Sequence, residues 1–391
     1  MWGSQGHGSI SARTLSREAD APVSSIYHHF ENMEHLFLLA QQQAKAAAER
    51  WCHAQLEALA EAGMLSPDAF PALFAALIDD WCENNRSLAF AWRECQLMAM
   101  RDPQYVPVLR DWQALWRDFW QDICARCDLA AHGALTTHMF DGESLFHLMR
   151  WRRMVDRACL DETCRGWSEW LSGRLASDGE WRLFAREQAA REMPELKIRG
   201  EIMERIAHAA AKILARQGIA GLTHRAVAAQ AELTLGVVSY NFRSSADLAR
   251  AAFEVIYRQA VALSGGAVAK EENSAALDLT MSPGDHRAIA KVLPALDELL
   301  VAVARSPDMR AFAPQLRYWR GRTSRGALQA MIGPKRPVSH LDGALFSGLM
   351  TGHRRICIGL PAEDAWVMSN QQILRLQAVL GAGTCVDTEG R

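Results

Sequence analysis

The stretch ISARTLSREADAPVSSIYHHF at residues 10–30 has the pattern of two short helices joined by a tight turn. A second stretch, LTHRAVAAQAELTLGVVSYNF at residues 222–242, repeats this pattern 212 positions later. The sequence identity between the two stretches is low. Their apolar positions nevertheless coincide, as in Ile10/Leu222, Leu15/Val227, Val23/Leu235 and Ile26/Val238. A period of about half the chain indicates two copies of one domain.

Both copies carry residues that begin helices. Ser11 and Thr223 stand where a hydroxyl can accept a hydrogen bond from the first turn of a helix. Pro22 and Thr234 stand where the second helix opens, and both residue types are favoured there. The positions predicted to face inward are Leu15, Ala19, Ile26 and Phe30 in the first copy and Val227, Ala231, Val238 and Phe242 in the second. Each copy is thus a helix-turn-helix, the element with which many proteins enter a DNA groove.

The repeat continues beyond these windows. Arg101 and Pro103 match Arg305 and Pro307. Further matches are Leu109-Arg110 and Trp112 with Leu316-Arg317 and Trp319, and the segments 141–153 with 342–354, which we expect to be helical. Duplication therefore covers whole units. We predict a first head at residues 1–40, a first helical domain at 41–190, a second head at 195–245, a second helical domain at 246–380 and a disordered tail at 381–391.

The composition is that of a globular helical protein. Of the 391 residues, 49% are hydrophobic and 23% charged, and apolar residues recur at spacings of three and four. We find neither an apolar run of about 20 residues nor a cleavable leader, so we expect a cytoplasmic chain without membrane contact. Nine cysteines form no disulfide framework, which is typical of a reducing compartment.

Charge is distributed unevenly between the two copies. The formal net charge of the chain is −2. Residues 197–258 hold nine Lys/Arg against five Asp/Glu, whereas residues 1–50 hold four against five. Only the second unit therefore has the basic balance that phosphate contacts need.

The strings APVSSIYHHF at residues 21–30 and TLGVVSYNF at residues 234–242 resemble the recognition helix of the tetracycline-repressor (TetR) family of transcriptional regulators. The resemblance implies an all-α fold of two units, each a helix-turn-helix head followed by a helical ligand-binding and dimerisation bundle, which here would form a pseudo-dimer. It also implies a double-stranded DNA operator as partner and a small-molecule effector. It places the dimer-forming helix pair near the matched segments 141–153 and 342–354, which we therefore expect to meet. Most members of the family are repressors.

The resemblance also assigns roles to single residues. In the first copy it implies phosphate contacts from Ser11, Arg13 and Tyr27 and base contacts from Ser24, Ser25 and His28. The corresponding residues of the second copy are Thr223, Arg225, Gly236, Val237, Tyr240 and Asn241. Two features depart from the family. Met33 and Ser245 replace a usual lysine, and nine residues before Ile10 are too few for the first helix of a head. We expect that helix to be truncated or missing, or the natural start to lie upstream.

These features predict a regulator that holds two recognition helices in successive major grooves, about 34–36 Å apart. Because the two reading faces differ, we expect an operator with unlike half-sites. A homodimer of chains carrying four heads is the alternative assembly. The alternative function is a TetR-like ligand-binding or protein-interaction module that has lost DNA binding.

A tryptophan-rich region of the first half has two interpretations. Trp112 and Trp116 are four residues apart, and Trp81 and Trp92 precede them. Aromatic residues at helical spacing are usually core. They could instead wall a pocket for an apolar or aromatic effector, with Arg93 or Arg110 meeting a carboxylate.

Other chemical signals are weak. Cys124 and Cys127 have zinc-like spacing, but no second pair follows at a suitable distance. The sequence contains neither a glycine-rich phosphate loop nor a nucleophile elbow. We therefore predict no metal, no cofactor and no enzymatic activity.

Overall fold

The computed structural model describes residues 1–192, 194, 199–265 and 283–381, and every regular element within them is helical, so the predicted all-α class is confirmed. The α-helices of the first half (residues 1–192) are α1 (Ala12–Glu18), α2 (Val23–His29), α3 (Met33–Ala58), α4 (Phe70–Glu83), α5 (Arg86–Ala99), α6 (Val106–Arg126), α7 (Gly133–Leu148), α8 (Arg153–Leu171) and α9 (Glu180–Arg191). Those of the second half (residues 199–381) are α10 (Glu201–Gln217), α11 (His224–Ala231), α12 (Leu235–Asn241), α13 (Ser245–Gly265), α14 (Pro283–Arg305), α15 (Ala313–Tyr318), α16 (Arg322–Ile332), α17 (His340–Ile356) and α18 (Ala362–Val379). Apart from Gly381, the predicted tail lies outside the described residues. Among the helices described, none combines the length and apolarity needed to cross a lipid bilayer.

Helices α7 and α17 pack against each other and join the two halves, as predicted for the matched segments. Their backbones touch, because glycines lie at the crossing. A Cβ added at Gly142 would overlap the carbonyl oxygen of Gly348, and one added at Gly352 would overlap the carbonyl oxygen of His138. The prediction of an unbroken helix through residues 141–153 is wrong, since α7 ends at Leu148 and the chain turns before α8 begins. Small residues thus allow the closest contact between the halves.

Matched residues also pair across the halves. Glu94 and Glu298 lie seven positions before the matched arginines Arg101 and Arg305. Arg101 Nη1 lies 2.9 Å from Glu298 Oε1, and Arg305 forms an ion pair with Glu94. Each contact joins the arginine of one half to the glutamate of the other. Such an exchange of partners is what a twofold relation between two similar units produces.

The residues that lead into the heads continue this pattern. At an offset of 212, the short 3-10 helix His7–Ser9 matches the 3-10 helix Ile219–Gly221, and the two segments touch. Gly8 lies against Ala220, its own matched residue. Just before these segments, Gly6 lies beside Arg305 and Gly218 beside Arg101. Contact between matched positions is expected next to a twofold axis.

A buried network of charges connects α5, α7, α14 and α17. Arg93 Nη1 donates to Asp141 Oδ1 at 2.6 Å. Arg355 forms two hydrogen bonds to Asp297, at 2.6 and 3.0 Å, and its Nη1 lies 3.5 Å from Asp141 Oδ2. Burial alone would raise the pKa of Asp141, but Arg93 and Arg355 outweigh it and hold that pKa below its ordinary value. The contact between Arg355 and Asp141 therefore links a buried ion pair of the first half to one of the second half.

Candidate nucleic-acid interface

The second head is a compact three-helix unit formed by α10, α11 and α12. Helix α10 packs on α11 and on α13, and the predicted inward residues of the head are all buried. Thr223 Oγ1 accepts from the backbone N–H of Ala226 at 3.2 Å, and Thr234 Oγ1 accepts from that of Val237 at 3.4 Å. Both predicted caps are therefore confirmed. The exposed helix α12 is anchored to the head on one side by the buried side chains of Val238 and Phe242.

The turn between the two short helices has the same backbone in both heads. Asp20 and Glu232 occupy matched positions, and both have a left-handed conformation, with φ of 48° and 53°. Residues other than glycine adopt this region uncommonly. The two heads therefore share a left-handed residue at the matched position of the turn.

The first head is less completely buried than predicted. Ser11 caps α1 as expected, but α1 buries no side chain, and Ala19 is exposed although an inward position was predicted. Its counterpart Ala231 is buried. The difference arises because α10 covers the second head, whereas the residues before α1 form only the short 3-10 helix His7–Ser9.

Most residues predicted to contact DNA have accessible side chains. Tyr27 and Tyr240 are 55% and 87% exposed. The other exposed members are Ser11, Arg13, Ser24, His28, Thr223, Arg225 and Gly236, and the partly exposed ones are Ser25, Val237 and Asn241. Asn241 is partly engaged, because its amide donates to the carbonyl of Val237 at 2.8 Å. The structure thus brings each copy's predicted residues onto one small head.

One basic residue at this surface was missed by the sequence analysis. Arg243 is exposed and directly follows the end of the α12 segment, beyond Phe242. The matched residue of the first head is Glu31. The difference in local charge between the heads was visible in the sequence. A position-by-position comparison would have identified Arg243, because Glu31 and Arg243 are matched residues of opposite charge. Because an arginine stands here where the first head has a glutamate, the second head attracts phosphate more strongly.

Of the six residues predicted to bind an effector, five are buried inside the first half and Arg110 is partly buried. Trp81, Trp92, Trp112 and Trp116 are at most 2% exposed. Their rings pack edge to face, tilted or stacked, with centroids of Trp81 and Trp116 4.8 Å apart. Trp92 Nε1 donates to Asp141 at 2.9 Å. This placement favours the core interpretation of the tryptophan pattern.

The two arginines of that set bind other groups of the chain. Arg93 belongs to the buried network with Asp141. Arg110 donates to the carbonyl oxygens of Ile356 and Ile358, at 3.1 and 3.0 Å, where α17 ends. Its matched residue Arg317 donates to the carbonyl of Met149 at 2.9 Å, where α7 ends. Arg110 and Arg317 therefore connect the halves. The role predicted for Arg93 and Arg110 in ligand binding has no support from these contacts.

Two cavities of the described structure are lined by other residues. One, of about 330 Å³, is an open groove between α3 and α6 beside Lys45, Glu49 and Asp118. The other, of about 490 Å³, lies where the segment before the first head meets α13 and α14. None of the six predicted ligand residues lines either cavity.

Within the described ranges, no group of three or more His, Cys, Asp or Glu side chains is placed to hold a metal ion. Cys124 and Cys127 are both buried. No protein-family model matches the chain, and a search of curated proteins found no significant match.

Proposed function

We propose that this protein is a DNA-binding transcriptional regulator of the TetR type, built from two units in one chain. The observation that carries the proposal is the repeated head. Both copies have a hydroxyl-capped first helix, a left-handed residue at the turn and an exposed second helix. A helix presented in this way can enter the major groove and contact base edges.

The proposal includes a pseudo-dimer within the chain. It is supported by the exchanged pairs Arg101–Glu298 and Arg305–Glu94 and by the contact between Gly8 and Ala220. A single chain so arranged can present two recognition helices to one duplex. Since α2 and α12 expose different side chains, the two half-sites of the operator differ. The second head supplies most of the attraction to phosphate, because residues 222–243 hold two arginines against one carboxylate, whereas residues 10–31 hold two arginines against three carboxylates.

The central test is DNA binding by a chain with a damaged second head. We expect Arg225→Ala combined with Tyr240→Ala to weaken binding by roughly 100-fold, since one phosphate contact and one base contact are lost. Both side chains are exposed, so folding should be unchanged. The measurement is fluorescence anisotropy with an operator selected by the wild-type chain from a random duplex pool.

Arg165→Ala provides a matched control, because Arg165 is an exposed arginine on α8, outside both heads. Its affinity should equal that of the wild type. In addition, Arg225→Ala alone should reduce the salt dependence of binding by about one released counterion. If the wild-type chain selects no duplex sequence, the alternative of a module without DNA binding replaces this proposal.

A further inference from the structure

The cavity of about 490 Å³ lies at the place where both heads attach to the body of the molecule. His7 lines it and leads directly into the first head. Ala246 lines it from the first turn of α13, which leads out of the second head. Its volume is within the usual range for small-molecule sites, about 300–1,000 Å³. An occupant would therefore touch the attachments of both heads at once.

The lining of the cavity combines apolar and charged side chains. Phe253, Ile219 and Met309 contribute apolar surface. The charged side chains of the lining are Glu94, Asp247, Arg250, Glu298, Arg305 and Asp308, four carboxylates against two guanidinium groups. A site with this balance favours a cation that also carries an apolar body.

The two guanidinium groups already have partners within the chain. Arg305 pairs with Glu94 and donates from Nε to the carbonyl of Trp2 at 3.0 Å. Arg250 Nε lies 3.5 Å from Glu254. An anionic ligand would have to compete with these contacts, and it would also meet the excess of carboxylates.

Glu298 is the lining carboxylate with unused capacity for a hydrogen bond. Its side chain is 8% exposed, and Arg101 Nη1 lies 2.9 Å from Oε1. Among the described groups, however, none directs a hydrogen at Oε1 with bonding geometry, so this atom has an ion-pair contact without an aligned donor. Burial raises the pKa of Glu298 above its ordinary value; Arg101 opposes this shift and Glu94 adds to it. Oε1 is closed off from solvent, so a cationic donor in the cavity would bond the other carboxylate oxygen, Oε2, to which no described group donates.

We propose that this cavity is an effector site for an organic amine or guanidine with a small apolar body, whose cationic group bonds Glu298 and whose body packs on Phe253. The regulatory part of the inference rests on the proposed function. Glu298 belongs to the Arg101 pair beside Gly218, and Glu94 belongs to the Arg305 pair beside Gly6. A ligand that binds between these pairs changes how the two heads are held, and thereby the affinity for DNA.

The first test is direct binding of simple probes to the full chain in the absence of DNA. Isothermal titration calorimetry would compare 2-phenylethylamine and phenylguanidine with 3-phenylpropanoate, an anion of similar size and shape. We expect at least one of the two cations to bind, and the anion to bind at least tenfold more weakly. Equal or tighter binding of the anion, or no binding by either cation, would overturn the assignment.

Variants locate the site. Glu298→Gln should weaken binding of the cation by about tenfold or more, since a charge-assisted hydrogen bond is lost. Glu57→Gln, at an exposed position of α3, is the matched control and should bind like the wild type. Ala249→Phe introduces a bulky group from α13 into the cavity and should abolish binding. This second variant keeps the location testable should Glu298→Gln perturb folding. Unchanged affinity in both cavity variants would overturn the location.

The second test adds the selected operator. Saturating cation should change operator affinity in the wild type and leave it unchanged in Ala249→Phe. Binding of the cation without any effect on DNA affinity would overturn the regulatory part. The two proposals fail separately, because a chain that binds no DNA can still be titrated with amine, and a chain that binds no amine can still be tested on DNA.

Discussion

Replacing Asp141 with asparagine is expected to destabilise the protein by about 3 kcal/mol or more. Asp141 accepts from Arg93, Trp92 and Gln96, and all of these groups are buried. The amide keeps the size of the side chain but removes the charge that balances the Arg93 guanidinium. A buried charge that has lost its partner is far costlier than a surface one. The shift of the urea unfolding midpoint measures the effect.

The control for this prediction is Asp161→Asn. Asp161 pairs with Arg157 on the same helix, but both side chains are about one third exposed. Such surface pairs contribute about 0–1 kcal/mol, so the midpoint should hardly move. Equal effects of the two substitutions would mean that the network around Asp141 is open to water and does not hold the halves together.

The second large effect is expected at the crossing of α7 and α17. Gly352→Ala places a methyl group on the carbonyl oxygen of His138. This oxygen is a backbone atom, which cannot move aside as the end of a flexible side chain could. Helices α7 and α17 must therefore move apart, and core side chains next to the crossing lose contacts with both helices. We expect a loss of about 3 kcal/mol, at the upper end of what overpacking usually costs, measured by urea unfolding followed by circular dichroism.

Gly326→Ala is the matched substitution. Gly326 lies inside α16, and a Cβ added there meets nothing within 4 Å. Alanine is favoured over glycine inside a helix by roughly 0.5–1 kcal/mol, so this variant should be slightly more stable than the wild type. Loss of stability in Gly326→Ala as large as in Gly352→Ala would contradict the close crossing.

Local patterns predicted the helices and the caps of the heads well. Ser11, Thr223 and Thr234 could be assigned as caps because a hydroxyl before an apolar-periodic segment acts through its nearest neighbours. These features depend on spacing along the chain, which the sequence displays directly. The contact between α7 and α17 was expected on other grounds, because the resemblance to the TetR family places a dimer-forming helix pair near the matched segments.

Long-range contacts could not be predicted in the same way. Arg93 and Arg110 were expected at a pocket, since an arginine beside aromatic residues resembles a carboxylate-binding group. In the structure they meet Asp141 and the end of α17, which are 48 and 246 positions distant along the chain. Nor could Ala19 be recognised as exposed, because its burial depends on a covering helix rather than on its own segment.

The central claim is that one chain directs both recognition helices at one duplex. Its most direct test is the distance between spin labels attached at Ser24→Cys and Val237→Cys, measured by electron–electron double resonance, with single-label chains as background controls. With the selected operator bound, the account predicts one narrow distribution at about 34–36 Å, the separation of successive major grooves. A distance above about 50 Å, or a broad distribution that DNA does not narrow, would contradict it.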